Sequence, residues 1–238
     1  TVIVPKGAVG IHWFGQSSFA LKSDGGRVLL TDPYFPRERP PEKFVRPVPP
    51  VQEAVLPGDV VLLTHDHSDH TCIESLERLR AALPAISIVG PPESIAHMTR
   101  SGFDPMGLVS IEAGRTVEAE GYRIHAVLSK LPQGSPERGI QPPNVLHLGY
   151  VIETSGGRIY LTGDPQNDFA DVDALVDPVA ALAPDLGLLT TQPSEGEFPY
   201  FEGSAKLAQR LGLKAAMPSH YETFVRRTYD PVAWAAAL

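Results

Sequence analysis

Three imidazoles and two reactive-looking carboxylates are packed into Thr64-His65-Asp66-His67-Ser68-Asp69-His70. Ionised groups at this density are costly to desolvate unless something neutralises them, so the run is not a core segment. It follows an apolar stretch, residues 60–63, that reads as a buried strand. A turn at a strand's end lets alternate residues point inward together. His65 and His67 can then grip one cation, while Asp69 and His70 face a second beside it. Neutral imidazole with carboxylate suits one or two divalent ions of zinc, manganese or iron. The chain has eight histidines and a single cysteine, Cys72. Thiolate cages and disulfide frameworks are therefore excluded, and any metal site is built from nitrogen and oxygen.

The elements that must position this turn show internal self-similarity. Residues 19–33 run almost in register with residues 150–165: an apolar strand, a Gly-Gly turn, a second apolar strand and an Asp-Pro exit. Paired glycines supply the positive φ angles of a tight hairpin. A second echo follows each copy, Asp59-Val-Val-Leu-Leu-Thr64 and Asp185-Leu-Gly-Leu-Leu-Thr190. The expectation is a single domain over residues 1–238, made of two related halves at about 1–125 and 126–238. Helices are expected at residues 72–83, opened by a Thr71-x-x-Glu74 capping box, and at 92–101, closed by Gly102. Two more are expected at 171–183, interrupted at Pro178, and at 202–211. Residues 33–57 carry eight prolines together with Arg37, Arg39, Lys43 and Arg46. They read as a surface loop wrapping the fold, or as a lid over the site.

The 238 residues carry 20 Lys+Arg against 28 Asp+Glu, a net charge of −8, and 42% are hydrophobic. This is a globular composition with no basic surface for nucleic-acid polymers. No apolar run approaches ~18 residues, so no membrane-spanning helix is expected. The first ten residues lack the basic-then-apolar layout of a signal peptide, and a cytoplasmic protein is the expectation. The expected partner is a small-molecule substrate. Oligomeric state is not legible.

The His-x-His-x-Asp-His run after a buried strand resembles the metallo-β-lactamase superfamily. That resemblance implies an α/β (α+β) fold, an αββα four-layer sandwich of two similar halves, which agrees with the internal repeat. It implies further ligands. Asp164, after Gly163 at a strand's end, matches the aspartate that bridges two metals, and His220, after Pro218-Ser219, matches the last histidine. Asp32, after the early hairpin, matches an acidic residue that supports the ligands from behind. Ile11-His12-Trp13-Phe14-Gly15, Leu21–Gly26, Ile124-His125-Ala126 and residues 150–164 are similar to the L-ascorbate-6-phosphate lactonase branch. Most dinuclear members carry a third histidine in mid-sequence, near the position of Lys130 here; the lactonase branch also lacks it. His147 and His125 are the candidates to replace it, whereas His12 and His97 read as structural.

The chemistry implied is hydrolysis by metal-activated water, with Asp69 and Asp164 as catalytic carboxylates. Asp164 would bridge the ions, or orient the water and accept its proton. Lys130 and Arg138 are expected to meet an anionic group, as on a phosphorylated lactone. The leading reading is thus a lactonase-like hydrolase of a small ester or lactone. A phosphodiesterase acting on a small nucleotide and a non-catalytic metal-binding module are the alternatives.

Overall fold

The computed structural model describes residues 2–193 and 196–238. β1 (Val9–Gly15), β2 (Ser18–Ser23) and β3 (Val28–Thr31) form an antiparallel meander. β4 (Val60–Leu62), β5 (Ser87–Gly90) and β6 (Leu108–Ser110) extend it in parallel, giving the order β1-β2-β3-β4-β5-β6. The second sheet starts with β7 (Thr116–Ala119), β8 (Tyr122–Leu128), β9 (Leu148–Thr154) and β10 (Gly157–Leu161), all antiparallel. β11 (Leu186–Thr190) and β12 (Ala215–Ser219) then add in parallel.

Side-chain alternation along each strand sets the layers. Leu29 and Leu62 face inward and meet Ile124, Tyr150, Leu161 and Leu188 of the other sheet in one buried core. Their neighbours Leu30, Val61 and Leu63 face outward, against Leu76 and Leu79 of α1 (Ile73–Ala82) and Met98 of α2 (Pro92–Arg100). On the far side, Val151, Tyr160 and Leu189 pack on α3 (Asp173–Ala180), α4 (Phe201–Arg210) and Trp234 of α5 (Pro231–Ala235). The order of layers is helix, sheet, sheet, helix: the αββα sandwich. Among the described residues, no helix is long and apolar enough to cross a membrane.

The sequence echo has a structural counterpart. In each sheet a hairpin with a positive-φ glycine at its turn, Gly26 or Gly157, pairs in parallel with the strand that follows. An aspartate at the head of that strand grips the hairpin. Asp59 accepts from the Val28 N–H (2.8 Å) and Asp185 from the Arg158 N–H (2.9 Å). The division at about residue 125 needs correction: it falls inside β8, and the chain changes sheets between Ser110 and Thr116. β7 and β8 precede the second copy of the repeated text and have no echo to reveal them.

The capping box is also corrected. Cys72 takes the N-cap of α1 with no side-chain bond. Thr71 instead donates to the His65 carbonyl (2.8 Å), closing the histidine turn, and Glu74 accepts from Arg78 (2.6 Å). α3 runs through Pro178 and ends at Ala180. Residues 33–57 hold one short 3₁₀ turn, Glu53–Val55, and wrap the fold through buried Phe35, Phe44 and Leu56. The buried Glu53 carboxylate pins this segment by accepting from Arg37 and Arg78, both at 2.8 Å.

Candidate metal centre

The histidine turn leaves the end of β4 at the seam between the sheets. Leu148 donates its N–H to the Thr64 carbonyl (3.0 Å), and the Tyr150 hydroxyl donates to the Leu63 carbonyl (2.7 Å). Four other strand ends converge here. Asp32 follows β3, His147 precedes β9, Asp164 follows β10 and His220 follows β12. Asp32 (φ +36°) and His220 (φ +66°) both take the left-handed conformation. That conformation costs a non-glycine residue ~1–2 kcal/mol, and such strain concentrates at functional sites.

Among the described residues, donor atoms within 4.8 Å of one another form three groups: His65, His67 and His147 at one end, Asp69, His70 and His220 at the other, and His65, His70 and Asp164 joining the two. Asp164 lies between them. Its carboxylate oxygens are 3.7 Å from His65 Nε2, 3.4 Å from His70 Nε2 and 3.3 Å from His220 Nε2. His65, His70, His147, Asp164 and His220 are all buried, while His67 and Asp69 are partly open. His67 Nε2 lies 3.0 Å from Asn144 Oδ1.

Charge is arranged unevenly. Burial, with His70 beside it, holds the His65 imidazole well below its usual range. Burial and then the Lys130 cation push His147 down to about 3. Both are therefore neutral at pH 7 and carry a free lone pair. Burial opposes charge on His70 as well, but Asp164, Asp69 and Asp32 outweigh it and raise that imidazole well above the usual range. Burial likewise opposes ionisation of Asp164, yet His220 and His70 hold it well below the normal carboxylate range. Behind the group, Asp32 accepts from the Thr64 N–H (2.8 Å) and hydroxyl (2.7 Å) and lies 2.8 Å from His70 Nδ1. Burial raises its own carboxyl against the pull of His70.

The residues present fit a divalent cation. Among the described residues, His70 Nε2, both nitrogens of His147, Asp164 Oδ1 and His220 Nδ1 are buried with no hydrogen-bond partner. Buried polar atoms are left unpaired only at a cost, and here His70 Nε2 stands 3.4 Å from Asp164 Oδ2 and Asp164 Oδ1 stands 3.3 Å from His220 Nε2. The donors are imidazole and carboxylate; Cys72 lies outside all three groups, receiving the Ser75 hydroxyl.

Two expected residues do not join the cluster. His125 stands in β8 between Ile124 and Ala126, which point into the inter-sheet core. Strand alternation therefore turns His125 the other way, to Thr116 and to Glu153 (3.2 Å). Arg138 is held by Asp168 (2.6 Å) and lines none of the cavities next to the cluster. Lys130 is closer, but it pairs with Glu197 (3.1 Å) and lines a separate cavity of about 270 Å³. Thr191, Gln192 and Pro193 border a small cavity with His220, whereas Tyr200 does not.

Gln16 was not expected from the sequence. It is buried at φ +53°, and its Nε2 donates to Asp69 Oδ2 (2.6 Å) and lies 2.7 Å from His220 Nε2. The available signal was Gln16-Ser17-Ser18, a polar run between two apolar strands that is wholly buried. Gly163 is the other quiet contributor. At φ +60° it turns Asp164 into the cluster, and a Cβ there would sit 2.5 Å from the Leu148 carbonyl oxygen. Gly163→Ala is expected to cost about 2 kcal/mol from left-handed strain and overpacking. Urea unfolding reads this as a lower midpoint at constant m; an unchanged midpoint would show that the turn yields.

Fold and cluster together describe a metallo-β-lactamase-type scaffold with its polar site at the sheet seam. The chain belongs to this family: the profile of the β-lactamase superfamily domain matches residues 27–221. It is 29% identical over 225 residues to a UPF0173 metal-dependent hydrolase of Methanopyrus kandleri, spanning 93% of this chain and 87% of that protein. A UPF0173 metal-dependent hydrolase of Myxococcus xanthus is 26% identical, over 92% of this chain and 72% of the relative. Among solved structures, Igni18, a metallo hydrolase from Ignicoccus hospitalis, superposes with a TM-score of 0.68 at 22% identity, covering 96% and 90% of the two chains. The isothiocyanate hydrolase from Delia radicum gut bacteria gives 0.69 at 19% identity, covering 95% and 90%. These structural likenesses concern the fold.

Proposed function

We propose that this protein is a metal-dependent hydrolase of a small ester or lactone. The observation that carries the reading is the convergence of His65, His67, His147, Asp69, His70, His220 and Asp164 from both sheets, with His70 Nε2, both His147 nitrogens and Asp164 Oδ1 buried there without a hydrogen-bond partner. One or two divalent ions of zinc, manganese or iron, held by these residues, would supply Lewis-acid charge and make water nucleophilic near neutral pH. His147 completes the nitrogen set that His65 and His67 begin, in the role that the mid-sequence histidine of the family leaves vacant near Lys130. Asp164, kept ionised by His220 and His70, reaches both groups and is placed to accept the proton of the attacking water. Asp69 borders a cavity of about 550 Å³, a volume suited to a small molecule, and so meets substrate at the open side. The metal-dependent hydrolase names of the UPF0173 relatives support the reading.

Chelator dialysis is expected to reduce hydrolysis of a panel of esters and lactones to background, and adding back zinc, manganese or ferrous iron to restore it. Elemental analysis of the loaded protein should give one or two equivalents. Failure to take up any of the three metals would sink the hydrolase reading. Metal uptake with cleavage of a phosphodiester alone would replace the ester reading with the phosphodiesterase one.

A further inference from the structure

The open side of the cluster is lined by cations that the catalytic reading does not use. The 550 Å³ cavity that reaches Asp69 is bounded by Tyr34 and Lys43 of the proline-rich segment and by Phe224, Arg226 and Arg227 near the C-terminus. A smaller cavity of about 110 Å³ shares Arg226 and Arg227 and reaches His220 and Phe198. Aromatic faces hold two of these cations in place. Lys43 Nζ stands 5.4 Å above the Phe44 ring and 5.7 Å above Phe224, and the Arg227 guanidinium stands 4.9 Å above Phe198. Ring contacts of this kind orient a cation without neutralising it. Arg227 also pairs with Glu197 at 3.2 Å, whereas Lys43 and Arg226 make no ion pair among the described residues. Three cations thus face Glu42 and Asp69, and Asp69 is already engaged by Gln16.

We propose that Arg226, with Lys43 and Arg227, binds an anionic group of the substrate, a carboxylate, sulfonate or phosphate on a small apolar body lying against Tyr34 and Phe224. The inference rests on the hydrolase reading for the word substrate, and it places anion recognition in the cavity beside Asp69, with Glu197 shared between Arg227 and the neighbouring Lys130. Guanidinium is suited to such a group because its fork matches two acceptor oxygens. Binding to a cavity with metal-site ligands in its wall would bring a bond adjacent to the anionic tail close to Asp69.

Calorimetric titration with benzenesulfonate, a weak metal ligand, tests the site without any turnover. Its neutral counterpart is methyl phenyl sulfone. The metal-loaded wild type should bind benzenesulfonate at least tenfold tighter than the sulfone. Arg226→Ala should weaken the anion by about tenfold and leave the sulfone unchanged. Arg226→Lys should retain part of the preference, and Arg138→Ala all of it. Equal binding of the two probes by the wild type, or loss of the preference in Arg138→Ala but not in Arg226→Ala, would overturn the proposal. The hydrolase reading fails separately, on absent turnover by the metal-loaded protein, and turnover does not enter this titration.

Discussion

Asp164→Asn is expected to lower kcat/KM for ester hydrolysis by about a thousandfold, the equivalent of ~4 kcal/mol of transition-state stabilisation. Asparagine preserves the volume and removes the charge. The carboxylate is buried and lies within 3.7 Å of three imidazoles from both groups, and among the described residues no other carboxylate joins His65 to His70. An amide cannot offset dication charge, and it offers one acceptor oxygen where the carboxylate offers two. Elemental analysis should show the loss as reduced metal content alongside reduced rate. Far-ultraviolet circular dichroism should be unchanged, since Asp164 lies outside the strands. Wild-type metal content and activity within threefold of the parent would remove Asp164 from the site.

The second large effect is expected at Asp32, which touches no reacting group. The carboxylate accepts two bonds from Thr64 and, as the acceptor for His70 Nδ1–H, leaves Nε2 of that ring free to face Asp164 and Asp69. Asp32→Asn places an amide donor or a single oxygen against Nδ1. With the amide donating, the proton moves to Nε2 and the ring presents N–H where a lone pair is needed. Metal affinity should fall by about 10–100-fold, the usual consequence of losing the group that orients a histidine ligand. Asp32→Ala goes further, because it leaves the Thr64 N–H buried without a partner and His70 Nδ1 with only the Thr64 hydroxyl at 3.2 Å. Removing one member of such a buried network costs about 3–5 kcal/mol. For a chain of this size that corresponds to a melting temperature lower by about 10 °C. Competition with a chromogenic chelator measures the first effect and calorimetry the second. Unaltered affinity in Asp32→Asn would show that the His70 tautomer is set elsewhere.

Legibility differed among these residues for physical reasons. His65, His67, Asp69 and His70 could be read because a single turn after one strand carries them all, and polar density beside an apolar run is a local signal. The two related halves were legible from the repeated hairpins, whose glycines and gripping aspartates recur in the text, while the αββα layering came with the resemblance. Asp164, His220 and Asp32 needed a resemblance, since an isolated aspartate or histidine at a strand end has many uses. Gln16 escaped altogether. It meets Asp69 and His220 across 53 and 204 residues of chain, and no spacing encodes such a contact. His125 misled because its β8 register decides its direction, and only the pairing with β9 reveals that Ile124 and Ala126 take the core. Arg138 misled in a similar way. Its charge was visible, but its partner Asp168 lies in a different segment.

The seam where Leu148 meets Thr64 and Tyr150 meets Leu63 has a mechanical consequence. The proposed ligands divide between the sheets: His65, His67, Asp69 and His70 on one side, His147, Asp164 and His220 on the other. Whatever binds all of them acts as a rivet between two plates. Its binding energy becomes adhesion between the sheets, about 4 kcal/mol when the free ion stands at a thousand times its dissociation constant. On the proposed function, catalytic competence and the closure of the sandwich would be one fastening, and stripping the ion would loosen the molecule along the line where it works.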